Sequence, residues 1–189
     1  MRRMEDFLEA SKKFALDEQK RTGMPVFEHI KLSSEVGQRL AKILGADKQI
    51  VEAGTYLMDC MIGQALMEGR LKDHVSMSEA KASELLREYN MSPKDGENIR
   101  HCVKEHHGAK KFYSLESEIC CNADCYRFIS IKGFSYALRF LRDMPFEDLV
   151  RLLEEKVNEK WNALTLKECK EELSPQYEII KKYLELLKS

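Results

Sequence analysis

Apolar residues recur every three to four positions along most of the chain, the spacing that places them on one face of an α-helix. In the first predicted helix, residues 4–21, this spacing brings Phe7, Leu8 and Phe14 to the inward face. Further helices are predicted at 27–44, 47–68, 76–89, 93–107, 115–131, 145–164 and 175–188. No segment alternates apolar and polar residues with the period of two that is typical of a strand. The pattern therefore predicts an all-α fold.

Several of these predicted helices begin at capping residues. Ser76 with Glu79 three positions later is the sequence pattern of a capping box. The Ser-Pro pairs at 92–93 and 174–175 each place a serine cap before a proline in the first helical turn. These signals predict where the fourth, fifth and eighth helices start.

Length and composition are those of a soluble globular protein. The 189 residues are enough for one domain with a substantial core, and 43% of them are apolar and 33% charged. A net charge of −1 gives no indication of a general nucleic-acid surface. No apolar stretch reaches the roughly 18 residues needed to cross a bilayer, and the first residues lack the apolar middle of a secretion signal. We therefore predict a cytoplasmic location and no membrane association.

The six cysteines are not spaced like a secreted disulfide framework, so they are expected as thiols in a reducing compartment. Cys121 and Cys125 lie four residues apart, as do Cys102 and His106, and a zinc site could be built from these four. No CxxC pair occurs, and the surrounding segment has the composition of a buried helix. Small buried thiols are therefore the alternative explanation.

Two acidic residues stand in the most apolar helices. Asp59 is the one charged residue of the run GTYLMDCMIGQALM, residues 54–67, and Asp124 lies in CCNADCYRF. An ionised carboxylate taken out of water costs several kcal/mol unless a cation or several donors meet it. Asp59 therefore either faces solvent on a narrow polar stripe, or lies beside a buried metal, arginine or lysine.

Three histidines have positions that suit ligands. His29 and His106 fall on the inward stripes of their helices, and His74 lies at the corner before the Ser76 cap. His101 and His107 are predicted to point elsewhere. A single inward histidine is usually an ordinary core residue. Gathered with Asp59 and Asp124 around a divalent cation, however, these imidazoles and carboxylates would satisfy one another.

The order of these residues resembles the HD superfamily of metal-dependent phosphohydrolases. A histidine on one helix is followed by LMDCM, a histidine before SEAKASELL, then IRHCVKEHHG and SLESEICCNADCYRF. The resemblance covers roughly residues 24–140. It implies an HD-domain-like helical bundle within one domain, 1–189, with added helices in 1–23 and 141–189.

The resemblance also implies roles for individual residues. His29, Asp59 and Asp124 take the positions of metal ligands. His74 and His106 take those of extra histidines, which could hold a second ion or protonate a leaving oxygen, and His107 is the alternative to His106. The implied cofactor is a divalent ion, one of Mn, Fe, Ni, Zn or Mg. Met58 is the main departure, because the family has histidine there and a thioether is a poor ligand for such ions.

These features lead to one principal functional hypothesis and two alternatives. The principal one is a phosphohydrolase that acts on a nucleotide or another small phosphate ester, with Asp59, His74 and His106 as catalytic residues. The basic residues near the motifs are either phosphate ligands or solvated surface charges; they are Arg70, Lys72, Lys110, Lys111 and Arg127. The first alternative is a degenerate HD-fold binding or regulatory module, which Met58 favours. The second is a helical interaction protein whose C-terminal helices form a homodimer.

Overall fold

The computed structural model describes residues 2–188, which form ten α-helices, one short 3₁₀ helix and no strand. The helices are α1 (Arg2–Thr22), α2 (Phe27–Leu44), α3 (Lys48–Leu57), α4 (Ile62–Met67), α5 (His74–Glu88), α6 (Pro93–Lys104), α7 (Leu115–Ile129), α8 (Ile131–Phe140), α9 (Phe146–Ala163) and α10 (Lys167–Leu186). The 3₁₀ helix, Leu71–Asp73, leads into α5. The all-α prediction is confirmed.

Helix α7 is the centre of the bundle. It contacts α2, α3, α6, α8, α9 and α10, and eleven of its fifteen residues are buried. Helix α7 also carries Asp124 and Arg127, both buried. A charged pair on the most enclosed helix requires charged partners from its neighbours.

The segment predicted as one helix at 47–68 is two helices, α3 and α4, joined by a turn at residues 58–61. The amide of Met61 donates to the hydroxyl of Ser78, a buried residue of α5, at 3.2 Å. The turn is closed by the amide of Ile62, which donates to the carbonyl of Asp59 at 3.0 Å. Asp59 therefore lies in a turn between helices, and its side chain leaves the backbone at the edge of a cavity.

Three other helix boundaries differ from the predicted ones. Helix α5 begins at His74, and the Ser76 hydroxyl donates to the carbonyl of Asp73 at 2.8 Å instead of capping the helix. Pro175 lies inside α10, which begins at Lys167, eight residues earlier than predicted. The chain also turns at Ser130, whose hydroxyl accepts from the amide of Gly133, and α8, for which no helix was predicted, follows α7. The predicted Ser92 cap of α6 is confirmed.

The predicted terminal additions correspond to α1 and to the pair α9 and α10. Helix α1 packs on α3, α4 and α5, whereas α9 and α10 pack on α7. Within residues 2–188, no helix is both long enough and apolar enough to cross a bilayer. The six cysteines are all buried and form no disulfide bond with one another.

Candidate metal centre

Four potential ligands meet where three helix ends adjoin one cavity. Asp59 comes from the turn between α3 and α4, His74 is the first residue of α5, and His106 and His107 follow the last turn of α6. Asp59 and His106 are buried, whereas His74 and His107 are partly buried. One ligand atom from each residue lies within 4.8 Å of the corresponding atoms of the other three.

The contact distances in this cluster are those of atoms that share a small cation. Oδ1 of Asp59 lies 3.3 Å from Nε2 of His106 and 3.4 Å from Nε2 of His74. Nε2 of His74 lies 3.1 Å from Nε2 of His107. A tetrahedral ion with bonds of about 2.0–2.2 Å separates its ligand atoms by roughly 3.3–3.6 Å. The cluster therefore needs only small movements to bind such an ion.

Two of the histidines are held in the tautomer that binds metal through Nε2. Nδ1 of His74 lies 2.7 Å from the carbonyl oxygen of Leu71, and Nδ1 of His106 lies 2.6 Å from that of Val103. A carbonyl can only accept a hydrogen bond, so each Nδ1 carries the proton. Each Nε2 then carries a lone pair with which it can bind a metal, as in metal-binding histidines whose outer nitrogen is hydrogen-bonded.

His107 has two groups beside its Nδ1. Oε1 of Glu159 lies at 3.0 Å and Nζ of Lys160 at 2.8 Å. With the proton on Nδ1, the ring donates to Glu159 and presents a lone pair at Nε2. With the proton on Nε2, the ring accepts from Lys160 and donates to Nε2 of His74. Glu159 and Lys160 thus support both tautomers, and the first is the one that fits a metal ligand.

Two buried atoms of the cluster make no hydrogen bond with any residue that the structure describes. They are Oδ1 of Asp59 and Nε2 of His106, which contact each other without the alignment of a hydrogen bond. A buried polar atom left in this state costs about 1–3 kcal/mol. A divalent cation would satisfy both atoms at once. The donor set therefore fits a divalent metal ion.

A cation does meet Asp59 inside the protein, and it is the guanidinium of Arg127. Nη1 of Arg127 donates to Oδ2 of Asp59 and also to Oδ1 of Asp124, at 2.6 Å from the latter. Nζ of Lys160 lies 2.6 Å from Oδ2 of Asp124. Arg127 is 7% exposed and Lys160 is 2% exposed. Both oxygens of Asp124 are therefore in contact with buried side-chain cations.

These cations keep both carboxyl groups ionised. Burial raises the pKa of Asp59, but Arg127 and then His106 lower it by more, so that the pKa lies well below its usual range. Burial likewise raises the pKa of Asp124, but Lys160 and Arg127 lower it by more, so that this pKa also lies below its usual range. Two negative charges are thus fixed beside the cavity at neutral pH.

His29 lines the same cavity but stands apart from the cluster. Its Nε2 donates to the carbonyl of Gly133, at the start of α8, at 2.9 Å. Burial, together with the nearby Arg127 charge, lowers the pKa of His29 to about 4. His29 is therefore neutral at neutral pH. Of the five predicted metal ligands, the structure brings Asp59, His74 and His106 together with His107, while Asp124 and His29 have other partners.

The cavity beside the cluster has a volume of about 240 Å³. Its floor is polar and is formed by His29, Asp59, His74, His107, Asp124, Arg127 and Lys160. Its walls are apolar. A concave apolar site with a few convergent polar groups is the usual form of a small-molecule binding site.

Lys160 was not predicted as part of the site, and His107 was predicted only as the alternative to His106. Lys160 continues the inward stripe of α9 through Val150, Leu153 and Val157, so its burial could have been inferred from helical spacing. His107 was predicted to point away because the helix was extended to residue 107. The structure ends α6 at Lys104, and the turn that follows brings His106 and His107 to the cluster, where His107 also lines the cavity.

Solved structures share this fold, although no protein-family model and no curated protein matches the sequence. YpgQ of Bacillus subtilis is 15% identical with a TM-score of 0.70, over 97% of this chain and 95% of YpgQ. A Lactobacillus plantarum protein is 18% identical with a TM-score of 0.72, over 97% and 96%. A predicted HD superfamily hydrolase from an uncultured Thermotogales bacterium is 16% identical with a TM-score of 0.61, over 79% and 84%. The chain has an HD-domain-like helical fold, as predicted.

Proposed function

We propose that this protein is a metal-dependent phosphohydrolase that acts on a small phosphate ester. The observation that carries the proposal is the convergence of Oδ1 of Asp59 with Nε2 atoms of His74, His106 and His107 at the floor of a cavity. Similarity of fold to a predicted HD superfamily hydrolase supports it. A structure of YpgQ in complex with ADP, to which this chain is 16% identical, supports a nucleotide as one candidate ester.

The proposed cofactor is one divalent ion in this cluster, held by Asp59, His106 and His107, with His74 beside its open position. Two imidazoles and one carboxylate favour Zn, Fe, Mn or Ni over Mg, which prefers oxygen ligands. Such an ion polarises a phosphoryl oxygen and lowers the pKa of a bound water. Glu159, 3.0 Å from Nδ1 of His107, would orient that ring as a ligand.

The charges around the cavity suit a phosphate only when this ion is present. Six charged side chains cancel here: the carboxylates of Asp59, Asp124 and Glu159 and the cations Arg127, Lys156 and Lys160. A divalent ion would add two positive charges, which match one phosphate dianion. Metal binding and phosphate binding are therefore expected to be coupled.

His74 is the proposed proton donor to the leaving oxygen. It lines the cavity, whereas His106 is fully buried and does not. A catalytic site needs only three protein ligands and keeps one position open. Asp59, His106 and His107 can supply the three, which leaves Nε2 of His74 beside the open position to exchange a proton with the substrate.

Elemental analysis and turnover of 4-nitrophenyl phosphate test the proposal. We expect about one Zn, Fe, Mn or Ni ion per chain in protein purified without chelator, and loss of hydrolysis after chelation. His106→Ala should lose the ion and the activity together, whereas His74→Ala should keep most of the ion and lose about 100-fold in kcat. His101→Ala, which alters a histidine of α6 outside the cluster, is the control. Wild-type protein with neither metal nor turnover would refute the proposal.

A second candidate function is a degenerate HD-fold binding or regulatory module. Met58, 1% exposed, stands where the resemblance to the HD superfamily implies a histidine, and Arg127 and Lys160 already neutralise Asp59 and Asp124. This candidate predicts no stoichiometric metal and no turnover in the same assays. The cytoplasmic location and the homodimer stay predictions.

Met58→His tests which set of ligands takes the ion. The substitution restores the histidine-aspartate pair at 58–59, and Met58→Leu is the matched control that adds no ligand. We expect metal content to stay at about one ion per chain, because Arg127 and Lys160 hold both oxygens of Asp124. Elemental analysis after dialysis measures this. A rise to two ions per chain would show instead that His29, Asp59 and Asp124 bind an ion when Arg127 is displaced.

A further inference from the structure

Apart from Lys156, the walls of the cavity are made of apolar side chains. The wall residues are Met24, Val26, Ile62, Leu66, Leu71, Phe128, Ala137, Phe140, Leu141 and Leu152. They come from four helices, the 3₁₀ helix and the segments that join them. A ligand whose phosphate reaches the floor must place the rest of its structure against these walls.

The walls offer a ligand no neutral hydrogen-bonding side chain. Among the described residues that line the cavity, none is a serine, threonine, asparagine, glutamine or tyrosine. Lys156 is the one charged lining residue that does not belong to the floor, and its Nζ is 2.7 Å from Oε2 of Glu159. Sugar hydroxyls placed here would lose their hydrogen bonds to water without replacement, which is unfavourable.

The mouth of the cavity exposes large apolar side chains. Leu66 is 51% exposed, Leu71 is 47% exposed and Phe140 is 43% exposed, and all three line the cavity. Apolar surface gains free energy when a ligand removes it from water. The exposed rim therefore extends the apolar walls outward and favours a ligand with a hydrocarbon group.

The positive charge at the floor that is not already paired can balance one phosphate dianion. Arg127 and Lys160 are already paired with Asp59 and Asp124, and Lys156 is paired with Glu159. The remaining positive charge is the two units of the proposed metal ion. A diphosphate or triphosphate would bring further negative charges to a cavity whose other lining groups are apolar.

We infer that the substrate is a phosphate monoester whose organic group is apolar, alkyl or aryl, and that the cavity walls bind this group. The inference rests on the proposed function and narrows its substrate class. Leu66 and Phe140 then act as specificity-determining residues at the rim, while the metal cluster holds the phosphate.

Binding of non-hydrolysable n-alkyl phosphonates tests the inference without requiring turnover. Calorimetry of the metal-loaded protein would compare methyl to hexyl phosphonate with a hydroxylated phosphonate of similar size and with ADP. We expect affinity to rise about fourfold per added methylene over the first few carbons, because each buried methylene contributes about that much. The hydroxylated analogue and ADP should bind more weakly than hexyl phosphonate.

Substitutions at the rim supply the matched comparison. Leu66→Ser and Phe140→Ser change exposed positions that line the cavity, whereas Ile43→Ser and Ile179→Ser change equally exposed apolar positions that do not line it. We expect the first pair to weaken hexyl phosphonate about tenfold and leave methyl phosphonate unchanged. The second pair should change neither.

The outcomes separate this inference from the proposed function. Phosphonate affinity that rises with alkyl chain length supports the apolar substrate. If alkyl phosphates are then not hydrolysed, only the proposed phosphohydrolase activity is refuted. Affinity that is independent of chain length, or ADP binding more tightly than hexyl phosphonate, overturns the apolar substrate and leaves catalysis intact. If no phosphonate binds to the metal-loaded protein, both proposals fail.

Discussion

Arg127→Met is expected to lower the free energy of unfolding by about 3–5 kcal/mol, because removing one partner of a buried ion pair leaves the other partner as an unpaired buried charge. The Nη1 atom of Arg127 donates to both Asp59 and Asp124, and all three side chains are buried. Without the guanidinium, Asp59 would keep only the histidines as partners, and Asp124 would keep only Lys160. Equilibrium unfolding in urea, followed by far-ultraviolet circular dichroism, measures the change.

The matched control is Arg100→Met, which alters a partly exposed arginine of α6 that forms an ion pair with Glu97. A partly exposed pair of this kind contributes about 0–1 kcal/mol, so its loss should be small. We also expect added Zn or Mn to restore part of the stability of Arg127→Met, since the two freed carboxylates can bind the ion. A loss below about 1 kcal/mol in Arg127→Met would mean that the buried carboxylates are not held by this residue.

Asp59 shows how far the sequence alone could go. A single carboxylate in an apolar run indicates that some cation lies beside it, and Arg127 is that cation. Its identity could have been proposed from spacing, because Arg127 follows Asp124 by three residues on the same face of α7. The turn that carries Asp59 could not have been predicted from the sequence, because it depends on the Ser78 hydroxyl, which comes from another helix.

The histidines show the same limit. His29 and His106 are buried as predicted, but only His29 lies on a helix, because α6 ends at Lys104 before His106. Whether such a residue joins a cluster depends on what its other atoms meet. His29 donates to Gly133, a residue that is 104 positions away, and His106 faces Asp59. Periodicity predicts which face of a helix is buried, but not which buried groups face each other across helices.

One carboxylate joins the two halves of the site. Oδ2 of Asp59 accepts from Arg127, while Oδ1 faces His74 and His106. Asp124 belongs only to the cationic half, with Arg127 and Lys160. The two aspartates are both buried and both accept hydrogen bonds from the same guanidinium, but only Asp59 belongs to the cluster. Comparing the asparagine substitution at each position therefore distinguishes the loss of a metal ligand from the loss of a buried ion pair.

Asp59→Asn is expected to abolish stoichiometric metal binding and to lower phosphatase kcat by about a thousandfold, equivalent to roughly 4 kcal/mol of lost transition-state stabilisation. The substitution removes the one anionic ligand and leaves only neutral imidazoles to bind the ion. Metal content by elemental analysis and turnover of 4-nitrophenyl phosphate measure these two effects.

Asp124→Asn is the matched variant, with the same chemical change at the other buried aspartate. We expect it to keep about one ion per chain, because Asp124 is not in the cluster, and to lose about 3 kcal/mol of stability, because Lys160 stays buried beside a neutral amide. If Asp124→Asn loses the ion and Asp59→Asn keeps it, the metal binds Asp124 and not Asp59, and the proposed ligand set is wrong. Since both variants keep the side-chain shape, that reversal would reflect charge at the site and not a failure to fold.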